Sequence, residues 1–103
     1  TPTYTVDFAE LSIDLLSRNI TGTTSICNKG IATRYDVAMH LISNLKLQIP
    51  VTAVYGDFFA LEYFAERPRS ESMSCFKIDH VLGQNARRSW QDALDDYCNS
   101  FVA

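Results

Sequence analysis

The chain has 103 residues, 47% of them apolar, 12% aromatic and 20% charged, a balance that supports one folded core and excludes the disordered class. A net charge of −3 and a pI near 5.1 argue against a nucleic-acid partner and against an anionic membrane surface, because only nine Lys and Arg residues are present to meet phosphates. No apolar run approaches the roughly 20 residues of a membrane-spanning helix.

Three features together point to a secreted protein. The chain begins Thr1-Pro2-Thr3 and not with Met, as after removal of an upstream segment. Asn19-Ile20-Thr21 is an N-glycosylation acceptor, which marks Asn19 as a candidate glycan site, and three cysteines are present.

In chain order, Tyr4, Val6 and Phe8 alternate like a short strand, and Asp7 with Glu10 then resembles the capping pair of a helix from about Phe8 to Arg18. Asn19 to Ser25 is a loop by composition. From Ile31 to Leu47, Val37, Ala38, Leu41, Ile42 and Leu45 form a stripe at helical spacing, with Thr33 and Asp36 as its start signal and Pro50 as its stop. Pro50 to Leu82 reads as a β-hairpin. Its first arm runs from Val51 to Phe64 and is rich in β-branched and aromatic residues. Its second arm, Met73 to His80, alternates Phe76 and Ile78 against Cys75, Lys77 and Asp79, and Ala65 to Ser72 is the solvated loop between the arms. A last helix, Asn85 to about Phe101, carries Trp90, Leu94, Tyr97, Cys98 and Phe101 on one side, with Gly83 turning into it and Asn85 capping it.

This order predicts a single α+β domain over residues 1–103: a two-layer sandwich in which an antiparallel sheet carries two helices on one face. Trp90, Leu94 and Phe101 would pack against Phe58, Phe76 and Ile78, each large side chain contributing about 1.5 to 3 kcal/mol.

Three cysteines cannot all pair within one chain. Helices lying side by side would bring Cys27 to Cys98, leaving Cys75 as the odd thiol on the wetter sheet face, either buried and inert or open to a partner chain. His40, one turn after Asp36, reads as a solvated pair on the polar helix face, and His80 follows Asp79 at a strand end. The cysteines and histidines show no metal-ligand spacing, and no two of the four glycines lie within five residues of each other. No metal, cofactor or catalytic residue is therefore assigned. Asp92, Asp95 and Asp96 form either a solvated face or an acidic contact patch, and Arg67 and Arg69 flank Pro68 in a loop long enough to be a contact point. The dibasic pair Arg87-Arg88 is expected to be protected inside the last helix.

A cysteine before a helix (Cys27), a strand with a Cys-Phe step (Cys75-Phe76) followed by Ile78, and a final helix from Trp90 to Phe101 resemble the small secreted fungal effectors and killer-toxin sandwiches. The resemblance implies a non-enzymatic effector or toxin that recognises a protein target on a host or competitor cell. Two alternatives stand beside it: a subunit of a larger assembly, as a dimer or hetero-oligomer joined through Cys75 or an aromatic surface around Tyr55, Phe59 and Tyr63, and a small secreted hydrolase such as a ribonuclease using His40 and His80.

Overall fold

The structure, a computed structural model, describes residues 1–55 and 70–102, with residues 101 and 102 described by their backbone alone. The described chain is helical: α1 (Thr5–Ser17), α2 (Arg34–Leu45), α3 (Phe76–Leu82) and α4 (Trp90–Val102). Among the described residues the only β pairing is a single parallel bridge between Lys29 and Ser89. The α+β sandwich is thus overturned.

The error lies in the Met73 to His80 run. Cys75 is 3% exposed and Ile78 fully buried, and Leu82 packs beside them, so the inward positions recur at three and four residues and not at two. Phe76, which alternation assigned to the core, is 79% exposed. A short apolar run fits both periods, and only its neighbours decide between them. Of the first hairpin arm, Val51 to Tyr55 has no regular structure. The remainder of that arm, including Phe58, Phe59 and Tyr63, and most of the expected loop, including Arg67 and Arg69, lie outside the described residues.

α1 starts at Thr5, without the strand expected around Tyr4 and Val6. Its end is closed by the two hydrogen bonds of a Schellman motif. Asn19 N–H donates to the Leu16 carbonyl and Ile20 N–H to the Leu15 carbonyl, both at 3.1 Å, while Asn19 takes a left-handed backbone with φ 57°. Asparagine tolerates that conformation better than most residues, which gives Asn19 a structural role at its exposed position. Ile20 then packs on the core beside Leu15.

α2 follows its sequence signals closely. Thr33 Oγ1 accepts from Asp36 N–H at 3.1 Å and Asp36 Oδ2 accepts from Thr33 N–H at 2.9 Å, a complete capping box. The stripe of Val37, Ala38, Leu41, Ile42 and Leu45 is the half-buried face, and α2 packs on α4.

α4 begins five residues after Asn85, at Trp90, because Ser89 and not Asn85 caps it: Asp92 N–H donates to Ser89 Oγ at 3.1 Å. Gly83, with φ 93°, makes the expected turn before it. The core gathers Leu15, Cys27, Cys75 and Ile78, with Ile20, Ile26 and Leu82 around them.

Thr33→Ala removes the acceptor for Asp36 N–H and releases the reciprocal bond. The substitution is expected to lower stability by about 1 kcal/mol in urea unfolding.

Candidate ligand-binding site

The site is assembled from the ends of elements. Tyr4 precedes α1, Asn28 lies in the segment after Cys27, and Trp90 and Tyr97 come from α4. These four, with Val37 and Leu94, line a cavity of about 300 Å³ whose wall is almost entirely apolar. Tyr4 and Tyr97 meet edge to face, with ring centroids 6.0 Å apart at 76°.

Trp90 has two close neighbours. The imidazole of His40 stands edge-on to its ring at 5.5 Å and 68°. Gly30, with φ 102°, allows a second close approach, since a Cβ there would lie 3.0 Å from Trp90 Cδ1. His40 Nε2 is itself 2.7 Å from Asp95 Oδ1, an atom that also accepts from Asn44 Nδ2. The bond to His40 is the main reason that the Asp95 carboxyl lies below its ordinary range.

Beneath the cavity lies a polar tie between distant parts of the chain. Arg88 Nε and Nη2 donate to the two oxygens of Asp7 at 2.7 and 2.8 Å, and Nη2 also reaches Asp96 Oδ2 at 2.7 Å. Asn28 Nδ2 donates to Asp7 Oδ2 at 2.7 Å, and Asn28 Oδ1 accepts from Tyr4 N–H at 2.7 Å. Main-chain bonds continue the frame: Lys29 N–H donates to the Arg88 carbonyl at 2.9 Å, and Trp90 N–H to the Lys29 carbonyl at 3.0 Å. The Arg88 guanidinium also sits 5.6 Å from the centre of the Tyr4 ring.

Burial pushes the Asp7 carboxyl up, but hydrogen bonds from Arg88 and Asn28 and the guanidinium charge outweigh it, and the net direction is down. Arg87 faces the other way. It grips both oxygens of Asp79 on α3 at 2.9 and 3.0 Å, which holds that carboxyl low, and donates to the Cys27 carbonyl at 3.2 Å.

A second, more polar depression surrounds Arg88 on the α1 side and is ringed by Asp7, Glu10, Asp14 and Asp96. Four carboxylates around one already paired guanidinium make it a poor seat for an anion. The aromatic cavity is the better candidate for a ligand.

The residues singled out by sequence are distributed otherwise. All three cysteines are buried free thiols, so the expected disulfide-bonded protein is corrected; Cys27 meets Cys75, with sulfurs 3.0 Å apart, and not Cys98. Cys75 is a buried free thiol, as the first of its two readings had it, but at the start of α3 and not on a sheet face. Asp95 and Asp96 are taken up by His40, Asn44 and Arg88, while Asp92 falls in the first turn of α4, where its charge suits the helix dipole. His80 is exposed on α3, and neither histidine is among the residues lining the aromatic cavity. Among the described residues no group of three or more His, Cys, Asp or Glu could hold a metal, and no helix is long and apolar enough to cross a membrane. Sequence reasoning missed Asp7, Asn28, Arg87 and Arg88 as a set. The one available signal was Asp7 itself, a carboxylate among the apolar residues at the start of α1.

Arg88→Met strands the Asp7 carboxylate, and we expect a loss of about 2 to 4 kcal/mol in urea unfolding, at the lower end because Arg88 is partly exposed. Asp7 and Asp79 have folded values below their unfolded ones, so their stabilisation is present above about pH 4 and is lost as pH falls through the folded values. The unfolding midpoint should hold steady from pH 7 to about 5 and drop below about 4. In Arg88→Met that acid limb becomes shallower.

Nothing matches among curated proteins or among solved structures. A family model described as the RmlD substrate binding domain matches residues 1–103. The match overturns the resemblance to small fungal effectors and killer toxins, and with it the reading as an effector or toxin; the strand that was to carry Cys75-Phe76 is in fact the start of α3. A match of that extent shows the family, and the chain belongs to the RmlD substrate binding domain family.

Proposed function

We propose that the chain is the substrate-binding part of an enzyme that processes sugar nucleotides, and that the cavity between Tyr4, Trp90 and Tyr97 receives a ring of that ligand. The observation that carries this reading is the aromatic wall itself, in a chain belonging to a substrate-binding family. Flat apolar faces stack on a nucleobase or on the C–H face of a sugar. The ring of carboxylates around Arg88 repels a diphosphate. The charged part of the ligand accordingly points away from that side, toward solvent or toward another part of the enzyme.

The chain has one tryptophan, and it stands in the cavity wall. Titrating the protein with UDP-glucose, with UDP and with free glucose while following tryptophan emission tests the reading directly. Saturable quenching by the nucleotide-bearing ligands is expected. Tyr97→Ala should weaken binding by about 1 to 2 kcal/mol, roughly five- to thirtyfold in Kd. Unchanged emission at millimolar concentrations of every ligand would overturn the assignment of this cavity.

A further inference from the structure

We propose that Cys27 and Cys75 are a reversible redox site: a dithiol as the structure stands, closed to a disulfide by a small-molecule disulfide oxidant. This does not depend on the sugar-nucleotide reading, and it differs from the Cys27–Cys98 pairing in both partner and character.

The two sulfurs are 3.0 Å apart, closer than ordinary van der Waals contact and roughly 1 Å beyond the about 2.05 Å of a bonded pair. Both cysteines are held in place. Cys27 sits beside Asn28, whose amide is engaged by Tyr4 and Asp7, and its carbonyl accepts from Arg87 Nη1 at 3.2 Å. Cys75 stands at the N-terminal end of α3, where its carbonyl accepts from Asp79 N–H at 3.0 Å, and Asp79 is gripped by the same Arg87. One guanidinium thus fixes both halves of the pair. Two thiols so positioned react with each other at a far higher effective concentration than either meets in solution. Cys98 is also buried, on α4, but lies outside this contact.

The chemistry balances without a further reactant. One cysteine loses its proton to solvent, and its thiolate attacks a sulfur of oxidised glutathione, expelling one glutathione thiolate and leaving a mixed disulfide. The second cysteine, deprotonated in turn, attacks the protein sulfur of that mixed disulfide and releases the second glutathione. Two protein thiols are oxidised and one small disulfide is reduced to two thiols. Burial, and then the neighbouring Cys75, push the Cys27 thiol up to about 11, so the closed fold keeps Cys27 protonated at neutral pH. Attack therefore requires opening, and the exposed coil from residue 70 to Ser74, leading directly into Cys75, is the segment that can open. The bond would tether the start of α3 to the residue next to Asn28, which lines the aromatic cavity.

The test is to equilibrate the folded protein in glutathione buffers from fully reduced to fully oxidised, quench with acid, alkylate and map peptides by mass. We expect three alkylated cysteines in the reduced buffer and one, Cys98, in the oxidised buffer, with the Cys27 and Cys75 peptides linked and dithiothreitol restoring all three. Cys98→Ala should close unchanged. The closed form should also resist urea more, its folding equilibrium rising on the order of a thousandfold in the chain-entropy model for a crosslink between residues 48 apart. Three alkyl groups in every buffer, stable glutathione adducts without closure, or a link made through Cys98 would each overturn the proposal. Because the mapping is done on the unmodified chain, no outcome hinges on a variant's folding.

Discussion

The bidentate pairing of Arg88 with Asp7 is the constraint from which the rest of this structure follows. A carboxylate cannot leave water unaccompanied, and Asp7 is among the most buried polar residues in the described chain. Its two oxygens are met by a guanidinium and by the Asn28 amide, and each of those donors has a further attachment. Arg88 reaches across to Asp96 on α4, its carbonyl receives Lys29 N–H, and Asn28 receives Tyr4 N–H. One residue therefore joins α1, the segment around Asn28 and α4. A lysine could not do this, because a single ammonium lacks the planar fork that spans two oxygens of one carboxylate while reaching a second.

The same frame separates charge from apolar surface. Around Arg88 the carboxylates collect, and on the other side of Asn28 the aromatic rings do. Asn28 belongs to both surroundings and is saturated by its own partners, so the cavity floor is fixed before any ligand arrives. His40, in turn, fixes Trp90 from outside the cavity and is itself oriented by Asp95. Such a wall needs little rearrangement on binding, and the ordering cost of its side chains is met by folding.

What could be read from the sequence was what is local. The Thr33 and Asp36 signals and the stripe from Val37 to Leu45 gave α2 because a capping box and a helical face are both written within a dozen residues. α4 was legible in its body. Its start was displaced because the backbone on either side of Ser89, the Arg88 carbonyl and the Trp90 N–H, is committed to pairing with Lys29, a partner some sixty residues earlier that no local pattern announces. α3 was lost because seven residues fit two periods equally well. The site was not legible at all. Asp7, Asn28 and Arg88 are 21, 60 and 81 residues apart in their pairings, and Tyr4, Trp90 and Tyr97 come from opposite ends of the chain. The adjacent arginines, expected inside the last helix, both precede Trp90, and the fold turns Arg87 toward α3 and Arg88 toward α1.

That separation also sets an order of events at the ribosome. Asp7 and Arg88 are 81 residues apart, so at about 5 to 20 residues per second the α1 carboxylate waits some 4 to 16 seconds for its counterion to be made. Until then α1 has no reason to bury Asp7, and its apolar residues have no settled place to go. α2, by contrast, carries its own cap and can form as it emerges. Although the secondary structure of its described residues is helical and local, this protein assembles as late as its most distant pair, more like a chain of high contact order than like a simple bundle.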